Sequence, residues 1–152
     1  MGFGVRTLHD MFSLSKINPT SSELSPLAGD ALEAFTAGLY GVRVLIIDEV
    51  SMVSRLVIAQ VSSRLQEWRH QTGRPGRNLP FEGLGVILAG DFGQLPPVNI
   101  PVTHALLNQN VLHGPKEARS LNAGLRIFNQ FAWSFGFVGS TDRRACLCTR
   151  NR

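Results

Sequence analysis

Two adjacent carboxylates, Asp48 and Glu49, are the side chains of this sequence best placed to do chemistry. They follow the aliphatic run Val44 to Ile47, which is typical of a strand buried on both faces of a parallel sheet. Open α/β sheets bind their ligands at the carboxyl ends of such strands. In nucleotide-hydrolysing motors one carboxylate of such a pair holds Mg²⁺, and the other orients or deprotonates the attacking water. A structural strand that ends in an acidic turn has the same local pattern, so the pair alone leaves both interpretations open.

A second aliphatic run, Leu84 to Gly90, also ends in a carboxylate, Asp91, and the loop after it contains Gln94. A glutamine in this place can donate to a terminal phosphate oxygen and accept from the nucleophilic water, so it can report whether a γ-phosphate is present. The prolines Pro96 and Pro97 stiffen the loop, because each fixes φ and donates no hydrogen bond. A stiff loop can couple the presence of the γ-phosphate to movement elsewhere in the protein, as in motors whose switch segment is released on hydrolysis.

Helical patterns lie before and after the first strand. Asp30 and Glu33 are spaced as in a capping box and predict a helix over Ala31 to Tyr40 that ends at Gly41. Ser54 predicts the start of a second helix. The apolar face of that helix contains Ile58, Val61, Leu65 and Trp68. Its polar residues off this stripe are Gln60, Arg64, Glu67 and Arg69.

The two strands and the helix between them predict a βαβ unit of a parallel sheet. The carboxyl ends of parallel strands meet at one edge of a sheet. We therefore expect Asp48, Glu49 and Asp91 to cluster at that edge, with Gln94 beside them.

The pattern is weaker after Ile100. It predicts helices over residues 103–112 and 124–131 and a strand over residues 135–138. The last twelve residues are basic and without periodicity. We expect one domain over residues 1–140 and a disordered basic tail over residues 141–152.

Composition limits the possible partners. The formal net charge is +4, and Lys16 and Lys116 are the only lysines, so arginine supplies most of the positive charge. Arginine suits bidentate phosphate contacts, which is compatible with a nucleic-acid partner, although a solvated surface explains the same charge.

No apolar run is long enough to span a bilayer and the first residues lack a signal peptide's apolar stretch, so we expect an intracellular protein without a membrane partner. Cys146 and Cys148 are spaced neither as zinc-ribbon ligands nor as a thioredoxin pair.

The two acidic motifs resemble those of a known family. L-I-I-D-E-V-S-M, residues 45–52, resembles the Walker B motif of the PIF (petite integration frequency) DNA helicases, and G-D-F-G-Q-L-P-P-V, residues 90–98, resembles their motif III. These helicases are relatives of the RecD-type superfamily-one helicases and of the helicase part of Helitron transposons. Residues 7–9, T-L-H, are similar to the family's T-I-H segment, and residues 124–131 are similar to the helix before its motif IV.

The resemblance implies an α/β fold, a partial RecA-like P-loop NTPase domain with a parallel sheet flanked by helices. It implies an ATP-dependent 5′-to-3′ DNA helicase with Mg²⁺ as cofactor and single-stranded or duplex DNA as partner. Asp48 would coordinate Mg²⁺, Glu49 would activate water, and Gln94 would contact the γ-phosphate. Arg143, or its neighbour Arg144, would match the motif IV arginine that reaches the same phosphate. The family's setting is nuclear or mitochondrial, in DNA repair, recombination and telomere maintenance.

The P-loop of such an enzyme is absent from these residues. A phosphate cradle needs G-x-x-x-x-G-K-[ST] before the Walker B strand, and neither Lys16 nor Lys116 lies in such a motif. A second RecA-like domain is absent from the sequence as well. We therefore expect the middle segment of one motor domain, missing the remainder of the motor as its partner and hydrolysing ATP hardly at all when isolated.

Two other functions stay open. A non-catalytic remnant of a helicase or transposon could bind nucleic acid or a partner through its arginines. A metal-dependent nuclease could use Asp48, Glu49 and Asp91 as ligands, but it would not require the loop with Gln94.

Overall fold

A parallel pair of strands carries the two acidic motifs. The computed structural model describes residues 5–14, 24–73, 79–93, 95–114, 116–137 and 144–149. Its helices are α1 (Leu8–Met11), α2 (Gly29–Gly38), α3 (Arg55–Gln71) and α4 (Lys116–Phe128). Its strands are β1 (Val44–Ile47), β2 (Gly85–Leu88), β3 (Ala132–Phe137) and β4 (Arg144–Thr149). β1 pairs in parallel with β2, and Ile47 is the partner of Leu88, so the α/β class and the βαβ unit are confirmed.

The complete sheet is mixed and not wholly parallel. Its order is β1-β2-β4-β3, and β4 is antiparallel to both of its neighbours. The connection over residues 138–143 is too short for the crossover that parallel strands require, so β3 and β4 form a hairpin. Part of the segment predicted to be a disordered tail is therefore strand β4, and that prediction was wrong for residues 144–149.

Helix α3 is the centre of the core. Ser54 caps it as predicted, because the Ser54 hydroxyl accepts from the Val57 backbone N–H at 3.2 Å. All four residues of the predicted apolar stripe are buried. Two residues predicted to lie off the stripe are buried as well, Gln60 at 6% exposure and Arg64 at 1%. Arg64 is compatible with burial because it pairs with Glu67 and donates to backbone carbonyls of the N-terminal segment.

Three aromatic rings connect α3 to the N-terminal elements. The ring centroids of Phe12 and Phe35 lie 5.8 Å apart, and those of Phe35 and Trp68 lie 6.5 Å apart, both in edge-to-face geometry. The Trp68 indole N–H donates to the Thr36 hydroxyl at 3.1 Å. This cluster fixes α2 on the same side of the sheet as α3.

Helix α2 differs at both ends from the predicted helix. Its N-cap is Ala28, which makes no side-chain cap, and Asp30 lies inside the first turn. The reason is Gly29, whose φ of 51° turns the backbone into the helix one residue before Asp30. The helix ends at Gly38, and Gly41, with φ of 74°, lies in the turn that follows.

Strand β1 is buried on one face only, which corrects the prediction of burial on both. Leu45 and Ile47 are buried in the core, whereas Val44 is 52% exposed and Ile46 is 64% exposed. β1 lies at the end of the sheet, and in the described ranges the core packs on the Leu45 and Ile47 side.

The segment before α4 differs most from its prediction. Residues 103–112 were predicted to be helical, but the structure has only a 3₁₀ turn at Val102–His104. Instead of helical hydrogen bonds, backbone carbonyls of this segment accept hydrogen bonds from the side chains of Arg55 in α3 and Asn122 in α4. α4 begins at Lys116, before the predicted start at Gly124, and β3 confirms the predicted C-terminal strand. Within the described ranges no helix is both long and apolar enough to cross a bilayer.

Candidate nucleotide site at the carboxyl end of the parallel strands

The ladder between β1 and β2 continues past both strands and is interrupted at the carboxylate pair. The Ala89 N–H donates to the Ile47 carbonyl at 2.8 Å, and the Val50 N–H donates to the Ala89 carbonyl at 2.9 Å. Regular parallel pairing would use the N–H of Glu49 for the second bond. Glu49 is therefore an extra residue, as in a β-bulge.

The extra residue has a strained backbone that a side chain compensates. Glu49 has φ of 52° and ψ of 44°, a left-handed conformation that is uncommon outside glycine. Its N–H, which is free of the ladder, donates to Asp48 Oδ1 at 2.9 Å. Both carboxylates are exposed at the carboxyl end of β1.

The end of β2 lies directly against this bulge. A Cβ atom on Gly90 would lie 2.7 Å from the Val50 backbone nitrogen and 3.3 Å from the Glu49 carbonyl carbon. Gly90 also has φ of 146°, so both space and conformation favour glycine there. The two acidic motifs thus meet through their backbones.

Asp91 shapes the start of the second loop. Its Oδ1 accepts from the Gly93 N–H at 2.8 Å and closes an Asx turn. The parallel strands place Asp48, Glu49 and Asp91 at the same edge of the sheet. Gln94 and Arg143 lie outside the described residues, so their predicted roles stay predictions.

The carboxylates do not form a ready-made metal cage. Among the residues that the structure describes, no three histidine, cysteine or acidic side chains are grouped so that they could hold an ion. Asp48 still fits Mg²⁺, because its Oδ1 has a single backbone donor and the side chain is exposed. Mg²⁺ commonly binds through one or two carboxylates, with water and substrate phosphates as its other ligands.

Arg55 is a residue of this region that sequence reasoning missed. It is fully buried at the first position of α3. Its Nε donates to the Ala105 carbonyl at 3.1 Å, and its two terminal nitrogens donate to the Asn110 carbonyl at 2.9 Å and to Asn108 Oδ1 at 3.3 Å. Burial lowers the pKa of the Arg55 guanidinium, which still stays protonated at neutral pH.

One sequence signal could have found Arg55. A cation is unfavourable in the first turn of a helix, where the helix dipole favours negative charge. An arginine directly after the N-cap Ser54 therefore indicates a compensating contact elsewhere.

His104 lies near the same buried cation. Partial burial lowers the pKa of the His104 imidazole, and the positive charge of Arg55 lowers it further, whereas Glu117 opposes both.

Comparison with known proteins identifies the family of this chain. The sequence profile of the PIF1-like helicases matches residues 3–114, which is most of the chain. The chain belongs to the PIF1-like helicase family.

A curated relative is also named as a DNA helicase. The ATP-dependent DNA helicase PIF5 of Trypanosoma brucei brucei (strain 927/4 GUTat10.1) is 44% identical over 54 residues. The aligned stretch is 36% of this chain but 5% of the length of PIF5. No solved structure matches the chain.

The PIF1-like match includes Asp48, Glu49, Asp91 and Arg55, and it also includes Gln94. Helix α4 and Arg143 lie beyond its end. The matched segment therefore contains the bulge and its neighbouring loop.

Proposed function

We propose that this chain is part of the RecA-like motor domain of an ATP-dependent 5′-to-3′ DNA helicase. The observation that carries the proposal is the exposed, backbone-fixed pair Asp48 and Glu49 at the carboxyl end of β1, directly beside the end of β2. Family membership at the level of PIF1-like helicases supports it. In this proposal residues 1–140 belong to the motor domain, and the setting is nuclear or mitochondrial.

Each side chain has a separate role in this proposal. Asp48 holds Mg²⁺, which would neutralise charge on the β- and γ-phosphates of ATP. Glu49 orients and deprotonates the attacking water; its side chain is exposed and its backbone N–H lies outside the ladder. Gln94 contacts the γ-phosphate from the loop that Asp91 shapes, and Arg143 reaches the same phosphate.

The isolated 152-residue chain should hydrolyse ATP hardly at all. It contains no G-x-x-x-x-G-K-[ST] motif, so the backbone amides and lysine that bind the β- and γ-phosphates are missing from it. A fusion that places a P-loop strand, loop and helix before residue 1 and a second RecA-like domain after residue 152 tests the proposed roles directly. We expect this fusion to hydrolyse Mg·ATP in response to single-stranded DNA.

In that fusion Glu49→Gln should lower the rate by about 10²–10⁴-fold, the usual contribution of a general base. Asp48→Asn should shift the Mg²⁺ requirement to higher concentrations. Glu33→Gln and Asp30→Asn are matched controls, because both residues are exposed acids on α2, away from the bulge. Hydrolysis that is unaffected by Glu49→Gln would refute the assignment, and so would robust Glu49-dependent hydrolysis by the isolated chain.

A second function, nucleic-acid binding without catalysis, is favoured by the outer face of α4. The buried face of this helix is apolar. Lys116, Arg119 and Arg126 are exposed, and at a rise of 1.5 Å per residue they span about 15 Å. Such a row of cations suits the phosphates of a nucleic-acid backbone.

The test is fluorescence anisotropy with labelled single-stranded DNA at several salt concentrations. The double variant R119Q/R126Q should bind more weakly and lower the slope of log K against log salt by about 0.7 per lost phosphate contact. The double variant R6Q/R43Q removes two exposed arginines elsewhere and serves as the control. Equal effects of the two double variants would leave only non-specific attraction by net charge.

A further inference from the structure

We propose that Arg55 is a positioning residue that attaches the second end of the loop after β2 to the acidic segment, whose backbone already holds the first end. The acidic segment is residues 47–55, and the loop is residues 89–110. The importance of this connection for catalysis rests on the function proposed above, but the connection itself can be tested without nucleotide.

The first end of the loop is attached through backbone atoms. Ala89 is held between the Ile47 carbonyl and the Val50 N–H. Gly90 then presses against Val50 without room for a side chain. These contacts lie directly beside Asp48 and Glu49.

The second end of the loop returns to the same segment. Ser54 forms an isolated antiparallel bridge with Ala105. Arg55 adds donors to Ala105, Asn108 and Asn110. Asn108 Oδ1 also accepts from the Asn110 N–H at 3.0 Å, so the group that Arg55 binds is itself ordered.

The backbone of Arg55 packs directly against Gly124 of α4. A Cβ atom on Gly124 would lie 1.9 Å from the Arg55 carbonyl oxygen, so the backbones of α3 and α4 touch there. Because this contact prevents the Arg55 backbone from moving towards α4, the guanidinium stays in contact with the loop.

The loop depends on this cation because it has no Asp, Glu, Lys or Arg after Asp91. Residues 92–115 contain no aspartate, glutamate, lysine or arginine, so they lack the side chains that most often form ion pairs with the body of a protein. A buried guanidinium is costly unless its donors are satisfied, and here carbonyl and amide oxygens of the loop satisfy them. Loop and acidic segment should therefore open together and not independently.

Hydrogen exchange on the intact 152-residue chain, read by mass spectrometry of peptides, tests this connection between the acidic segment and the loop. Arg55→Met keeps an unbranched side chain and removes every donor. We expect it to accelerate exchange by about tenfold or more in residues 105–112, which Arg55 contacts, and also in residues 48–53, which it does not. The amides of Val50, Met52 and Val53 are hydrogen-bonded, so their opening is measurable.

Arg64→Met is the matched control. Arg64 is a second buried arginine of α3 that donates to backbone carbonyls, but its acceptors are Phe12, Ser13 and Ser25. Its loss should accelerate exchange in residues 8–14 and leave the ratio of residues 48–53 to residues 105–112 unchanged.

Milder variants keep the test decisive if Arg55→Met does not fold. Asn108→Ala removes one acceptor, and Arg55→Lys keeps the charge without the planar fork; both should give the same pattern with a smaller increase. Faster exchange in residues 105–112 alone would overturn the proposal, because the two segments would then be uncoupled. A uniform increase across all peptides would also overturn it, because Arg55 would then contribute only to global stability.

Discussion

At the scale of single residues, the backbone determines how the acidic pair is presented. Glu49 adopts a left-handed conformation and is excluded from the ladder. Strained conformations of this kind cluster at functional sites, where the surrounding structure maintains them. Here the maintaining contacts are the Asp48 carboxylate and the Ala89 backbone.

Gly90→Ala should break this arrangement. Its Cβ would lie 2.7 Å from the Val50 nitrogen at a φ of 146°, so the backbone must shift or remain strained. We expect a loss of about 2–4 kcal/mol in the free energy of unfolding, measured by urea denaturation.

Gly38→Ala is the control for that experiment. Gly38 has open space around its Cβ position and lies in α2, so alanine should stabilise the protein by about 0.5–1 kcal/mol. If Gly90→Ala were as well tolerated as Gly38→Ala, the close approach of the two motifs would be wrong.

His104 should contribute to acid sensitivity. Its pKa in the folded protein is lowered, first by burial and then by Arg55, so the unfolded chain takes up a proton near pH 6.5 before the folded chain does. Below about pH 6.5 the unfolded state therefore binds more protons, and the stability that His104 provides is lost as pH falls through the folded pKa.

His104→Gln should reduce the fall in unfolding free energy between about pH 7.5 and pH 5. His70→Gln replaces an exposed histidine at the end of α3 and serves as the control. An equal fall in the wild type and in His104→Gln would contradict this role of His104.

At the scale of elements, local signals predicted more than distant ones. Ser54, the apolar stripe of α3 and the strands β1 and β2 follow from neighbouring residues, and all are confirmed. The α2 cap was wrong because Gly29 takes a left-handed φ, which sequence does not specify. Residues 103–112 were wrong because Arg55 and Asn122, which are distant in sequence, bind that backbone.

Site residues follow the same division. Asp48 and Glu49 were predicted to end the first strand, and the structure places them there. The bulge, the contact at Gly90 and the role of Arg55 could not be predicted, because each depends on how two segments meet. Gln94 and Arg143 stay predictions.

The cap at Ser54 offers a quantitative test at this scale. Ser54→Ala removes the hydrogen bond to the Val57 N–H and should cost about 1 kcal/mol of unfolding free energy. Asp30→Ala in the first turn of α2 should cost less, because Asp30 is not the cap there. Urea denaturation of both variants measures the difference, and a larger loss for Asp30→Ala would mean that the caps are assigned wrongly.

At the scale of the whole molecule, β1 combines two features that favour association. It is the end strand of the sheet, so one side of its backbone lacks a strand partner in the described part of the chain. On its outer face Val44 and Ile46 are 52% and 64% exposed. End strands with exposed aliphatic residues are ready templates for pairing with another chain.

The double variant V44T/I46T should therefore lower the tendency of the isolated chain to self-associate, measured by light scattering over a range of concentrations. Threonine keeps the β-branched shape that suits a strand, while a hydroxyl replaces a methyl group of Val44 and the ethyl group of Ile46. The fold should survive, because both side chains lie outside the core. Leu45→Thr, on the buried face of the same strand, should instead cost about 2–4 kcal/mol of stability. Unchanged scattering by V44T/I46T would show that the outer face of β1 does not cause association.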